Sequence, residues 1–125
     1  GQLLTWGSNN HGQLGIAQPE VDYVAMPIVV PTSSSSASSA ACGAHHTLVV
    51  TRAGGLLAAG WCQAGQLGLG VATELNTYSE FREVAMSAVA GDVVCAAAGH
   101  AHSVAVTSTG KVYEWGRGDF WWIYN

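Results

Sequence analysis

The sequence predicts an all-β chain: β-propeller blades of four antiparallel strands, in an incomplete set of about two to three. Three observations carry the prediction. The tetrapeptide Gly12-Gln13-Leu14-Gly15 returns as Gly65-Gln66-Leu67-Gly68, 53 positions on. Residues 42–54 (CGAHHTLVVTRAG) align with residues 98–110 (AGHAHSVAVTSTG) at a spacing of 56, pairing Gly43 with Gly99, His46 with His102, Thr47 with Ser103 and Gly54 with Gly110. Very small residues precede the strand in each copy: Ser39, Ala40 and Ala41 in one, Ala96, Ala97 and Ala98 in the other. Several signals recurring in one order indicate repeats rather than chance. Four short strands in about 55 residues is the size of one blade.

Along the chain, LLTWG (3–7) is the first copy of a short apolar run that ends at Gly7. Its later copies are GLLAAG (55–60), ending at Gly60, and KVYEWG (111–116), ending at Trp115-Gly116. The corner NNHGQLG follows the first and CQAGQLG the second. Glycines at 12, 15, 65 and 68 permit a bend that a residue with a Cβ makes only at a cost of ~1–2 kcal/mol. Gln13 and Gln66 are expected to satisfy backbone groups in that bend, and Leu14 and Leu67 to fill the space between blades. Residues 16–27 and 69–80 read as rim loops. MPIVVP (26–31) and FREVAM (81–86) are weaker strand candidates. PTSSSSASSA (31–40) reads as a connector whose end joins an inner strand. HTLVVT (46–51) and HSVAVT (102–107) have the β-branched, Gly-bounded pattern of half-buried strands. RAGG and STGK are tight turns placing Gly54 and Gly110. VVCAAAG (93–99) is an inner strand, where crowding around a central channel favours small side chains. WGRGDF (115–120) begins another corner, but the chain then reads WWIYN instead of Gly-Gln-Leu-Gly.

The chain divides at this level into residues 1–26, the end of one repeat with its loop; 27–80, a central repeat; and 81–125, a following repeat with a divergent C-terminus. A closed propeller needs roughly four to eight blades. The chain is therefore expected to be part of a longer protein, or to be completed by the remaining blades or another chain.

The composition narrows the function classes. The net charge is −4 and the four Lys and Arg do not cluster, which argues against direct nucleic-acid contact. No apolar run approaches membrane-spanning length. Three cysteines and no Cys-x-x-Cys favour an intracellular setting over a disulfide framework.

Candidate chemistry is thin. His45, His46, His100 and His102, with Cys42 and Cys95, raise a zinc site, but zinc needs ligands converging on one point. His46 and His102 hold equivalent places in separate repeats, which predicts a repeated hydrogen-bonding role instead. Ser103 follows His102, yet it is the counterpart of Thr47. No catalytic, cofactor-binding or metal residues are assigned, and no enzyme activity is expected. The partner-contact candidates are Tyr23 and Tyr78, on the rim loops, and Phe120, Trp121 and Trp122, at the divergent end.

The motifs CGAHHT (42–47), TWGSNNHGQLG (5–15) and AGWCQAGQLG (59–68) resemble the regulator-of-chromosome-condensation repeat family, whose pattern is Cys-Gly-x-x-His-Thr, then Trp-Gly, then Asn-x-x-Gly-Gln-Leu-Gly. The resemblance implies a seven-bladed propeller and a non-catalytic protein–protein interaction or scaffold module. The alternative it implies is a guanine-nucleotide exchange factor for a small Ran-like GTPase. It also extends to a plant ultraviolet-B receptor, but the sensor tryptophans of that protein correspond here to Ala44 and His100.

Overall fold

A computed structural model describes residues 1–32, 35–69, 76–86, 91–116 and 123–124. Every regular element in them is a strand: β1 (Leu3–Ser8), β2 (Tyr23–Val30), β3 (Ala37–Cys42), β4 (His46–Thr51), β5 (Leu56–Trp61), β6 (Thr77–Glu83), β7 (Val93–Ala98), β8 (His102–Thr107), β9 (Val112–Gly116) and β10 (Ile123–Tyr124). They form three antiparallel sheets, ordered β1-β2, β3-β4-β5-β6 and β10-β9-β8-β7. The second sheet is a whole blade, running from the inner strand β3 to the outer strand β6. The divergent C-terminus supplies the outer strand of the third, with Ile123 opposite Tyr113 and Tyr124 opposite Val112. Phe120, Trp121 and Trp122 lie outside the described residues.

The small residues fall on the inner strands. Ala40 pairs with Val49, and Ala97 with Val104. The inner strand β7 of the third blade comes close to both β3 and β4 of the second. Short side chains at these positions let the blades converge.

The outer strands differ from the sequence reading. They begin at Tyr23 and Thr77, so the ends of both expected rim loops are strand. The divisions at 26/27 and 80/81 consequently fall inside β2 and β6. The cause is a bulge used twice. Ala25, Met26 and Pro27 stand opposite Trp6 alone, between the pairs Gly7–Val24 and Thr5–Ile28. Ser79, Glu80 and Phe81 stand opposite Ala59 in the same way. Extra residues in a bulge are left out of the ladder, so Pro27, which has no N–H to offer, is accommodated there. Local pattern alone does not reveal that pairing resumes beyond it.

Two cores lie between the sheets. Leu3 and Val30 of the first meet Val49 and Leu57 of the second. On the other side, Leu48, Val50, Leu56, Ala58, Leu67 and Val84 meet Val93 and Ala105 of the third. The strand β4 is buried at all six positions because sheets cover both its faces, whereas β8 alternates. HTLVVT therefore carries a half-buried pattern but sits fully inside. Burying side chains such as Leu48, Leu56 and Leu67 is worth ~1.5–3 kcal/mol each.

Candidate interaction surface

The repeated corner joins one blade to the next. Gly12 and Gly15 have φ of 75° and 68°; Gly65 and Gly68 have 79° and 68°. At Gly15 the need for glycine is double, because a Cβ there would also strike the Phe81 ring in the bulge of the next blade. The bulge holds the corner further: Ala17 N donates to Ser79 O at 2.7 Å, and Ile16 bridges Glu80. Gln13 Oε1 accepts from His11 N at 2.8 Å, and Gln66 Oε1 from Ala64 N at 3.0 Å. Their backbone carbonyls face the next blade. Thr47 Oγ1 donates to Gln13 O at 2.7 Å. Ser103 Oγ donates to Gln66 O at 2.6 Å, and Trp115 Nε1 to the same oxygen at 3.0 Å. Leu14 and Leu67 are buried beside these contacts.

The two corners are not identical. Asn9 is buried and donates to Val21 O at 2.7 Å and Gln18 O at 3.2 Å, while accepting from Leu14 N at 3.1 Å. Cys62, with a smaller side chain and a weaker donor, holds that place in the second copy. Gln13 Nε2 donates to Asn10 Oδ1 at 3.2 Å. In the second copy Gln63 Oε1 instead takes the Trp61 Nε1 proton at 3.2 Å, and Gln66 Nε2 has no partner among the described residues.

Gly43 and Gly99 let the His46 and His102 rings lie directly on the backbone, since a Cβ at either would collide with the imidazole. Both rings thus have repeated structural places, on separate blades. His46 is 1% exposed, with Nε2 3.0 Å from Ser103 Oγ. The hydroxyl proton already goes to Gln66 O, so His46 carries its proton on Nε2, and the Nδ1 lone pair meets no donor among the described residues. Burial pushes the imidazole below the ordinary histidine value; the His102 backbone partly opposes this, and charge on His102 or His45 reinforces it. A histidine beside a serine hydroxyl suggests nucleophile activation. Here Ser103 is 0% exposed and its proton is committed to a carbonyl. His102 is only half-buried, because its far side has no described blade against it. Among the described residues no three His, Cys, Asp or Glu side chains converge as a metal centre requires. Gly7, Gly54, Gly60, Gly110 and Gly116 sit at strand ends and tight turns, all at positive φ.

Of the partner-contact candidates, Tyr78 is half-buried against the second core, with the Arg82 guanidinium 5.2 Å from its ring. Tyr23 is 68% exposed. It belongs to an apolar face on the outer side of the first sheet, with Leu4, Trp6, Met26 and Val29, all 46–72% exposed. Leu4 pairs with Val29, and Ser8 with Tyr23, so these side chains share one face. The signal was present in the sequence, as two adjacent leucines in a strand must point to opposite sides. The repeat alignment explains the face. Leu57 and Ala59, the counterparts of Leu4 and Trp6 in the second blade, are 5% and 0% exposed because the first blade covers them.

Four-stranded antiparallel blades, stacked face to face and tied by a recurring corner, define a β-propeller repeat protein. Many sequence families build such blades, and the corner discriminates among them. The chain belongs to the regulator of chromosome condensation (RCC1) repeat family, whose pattern matches residues 1–50 and again 93–120. It is 36% identical over 120 residues to the X-linked retinitis pigmentosa GTPase regulator of Mus musculus, covering 92% of this chain and 11% of that protein. RCC1 domain-containing protein 1 of Mus musculus is 26% identical, over 96% of this chain and 40% of its own length. The crystal structure of Kap60 bound to yeast RCC1 (Prp20) contains a similar fold, with a TM-score of 0.80 and 26% identity over 92% of this chain and 28% of that one. The chain thus spans less than half of each of these proteins.

Proposed function

We propose that the chain is a non-catalytic protein–protein interaction module, a portion of a propeller whose outer apolar face on β1 and β2 is covered by protein. The observation that carries this reading is the exposure of Leu4 and Trp6 at positions where the next blade buries Leu57 and Ala59. Exposed contiguous apolar patches mark interaction sites. The covering group is a further blade or another chain. The sealed His46–Ser103 pair supports a structural rather than catalytic role. A photo-crosslinking residue placed at Trp6 in the full chain tests the proposal. The expected product is a crosslink to another repeat or to a protein partner; reaction with solvent alone overturns it.

A second reading is favoured by one observation, the 36% identity to a protein named as a GTPase regulator. On that reading the full propeller accelerates guanine-nucleotide release from a small Ran-like GTPase. A release assay with the full chain decides it, and an unchanged rate removes it.

A further inference from the structure

Three blades send an imidazole to the same end of the stack. His11 lies in the corner after β1, His45 in the turn between β3 and β4, and His100 in the turn between β7 and β8. The His11 and His45 ring centroids are 4.1 Å apart, and those of His45 and His100 are 6.2 Å apart. Trp61, at the end of β5, stands 6.2 Å from both His11 and His45. His100 is exposed, and the other three rings are half-buried. None of these three histidines recurs at a matching position in another repeat, as His46 and His102 do.

Among the described residues the row has no counter-charge. Among the described residues the single ion pair is Arg82 with Glu80, and no carboxylate lies within 4.0 Å of any of the three rings. Among the described residues the titratable groups that face the row are imidazoles: His11 faces His45, His45 faces His100, and His46 and its neighbour His102 lie behind. Asp92 is at the opposite end, beside the β4–β5 turn, and Asp22 precedes the outer strand β2. The hydrogen-bond roles are also informative. His11 Nδ1 is 2.9 Å from Asn10 Oδ1, an atom that also accepts from Ser8 and Gln13. The ring therefore donates through Nδ1, and neutral His11 keeps a lone pair on Nε2. Protonation turns Nε2 into an outward donor.

We propose that His11, His45, His100 and Trp61 form a docking surface for a carboxylate-rich protein segment, held more tightly as pH falls. Each protonated imidazole gains a donor and a charge that no described carboxylate neutralises. Carboxylates supply both the acceptor and the opposite charge. The indole gives the segment an apolar floor, with its own N–H tied to Gln63. Burial, reinforced by charge on His45, holds His11 below the ordinary histidine value; a bound carboxylate opposes this, so an acidic segment and protons promote each other's binding. This surface is separate from the apolar face of β1 and β2. A failure there, seen by crosslinking at Trp6, leaves the peptide result unaffected.

The test is fluorescence anisotropy of a labelled glutamate-rich peptide, with a glutamine-matched control, on the full chain at pH 7.5 and 5.5. The glutamate peptide is expected to bind about tenfold more tightly at pH 5.5, and the control to show no such gain. Substituting His11→Gln, His45→Gln and His100→Gln together is expected to abolish the pH dependence with an unchanged circular dichroism spectrum. Should that triple variant misfold, His100→Gln alone, at the most exposed ring, is expected to lower affinity about threefold at pH 5.5. Equal binding of the two peptides, pH dependence persisting in a folded triple variant, or full-strength binding by folded His100→Gln when the triple variant misfolds overturns the proposal. So does displacement of the peptide by equimolar inorganic phosphate, which would mark a general anion site.

Discussion

His46 Nε2 and Ser103 Oγ meet at 3.0 Å across the boundary between two blades, 57 residues apart in sequence. The serine passes its own proton to the carbonyl of Gln66, so three segments share one buried relay. The direction of every proton in it is fixed by the oxygen at its end.

Replacing Ser103 by alanine breaks both bonds: the His46 N–H loses its acceptor, and the Gln66 carbonyl keeps only Trp115 Nε1. Leaving buried polar groups unsatisfied costs ~1–3 kcal/mol. Urea denaturation is expected to show a loss of that size, and Ser103→Thr, which keeps the hydroxyl as the first copy does at Thr47, a smaller one.

The relay also makes stability depend on pH. His46 is held neutral in the folded state, mainly by burial, so its folded pKa lies below the unfolded value of about 6.5. Below about pH 6.5 the unfolded chain therefore binds a proton that the folded chain resists. Stability from this group is complete above that value and declines as pH falls through it. Denaturant midpoints at pH 7.5 and 5.5 are expected to differ in that direction, with a smaller difference in His46→Gln.

Gly15→Ala meets two penalties, a positive φ of 68° and the Phe81 ring. The backbone alone costs ~1–2 kcal/mol. Thermal unfolding is expected to show a larger loss than that, and Phe81→Ala in the Gly15→Ala background is expected to cost less than Phe81→Ala in the parent.

Leu67→Ala removes a side chain 1% exposed between the second and third blades. A loss of ~2–5 kcal/mol is expected in denaturation. Trp6→Ser, at an exposed site, is expected to change the stability of this segment by less than ~0.5 kcal/mol while weakening association with whatever covers β1 and β2.

Much of the architecture was legible because the repeat writes it twice. Gly12 to Gly15 and Gly65 to Gly68 mark a bend by residue type alone, and Ala96 to Ala98 mark the crowded inner strand. The bulges at Met26 and Ser79 were not legible, since nothing local says that pairing resumes beyond the extra residues. The burial of all of β4 was not legible either: its alternation matches that of β8, and only the number of neighbouring sheets separates them. Leu4, Val29 and the row of His11, His45 and His100 could not be assembled from spacing. Strand pairing sets Leu4 beside Val29, and only the stacking of blades brings the three histidines together.

The hydroxyls of Thr47 and Ser103 each reach back to close the bend of the unit before them. No unit is finished until its successor arrives, so the natural piece for melting, splicing or evolutionary duplication is offset from the sheet. Cut at the sheet boundaries, such a piece forfeits its own latch; cut within the strand that bears the hydroxyl, neighbours can be exchanged with every latch intact.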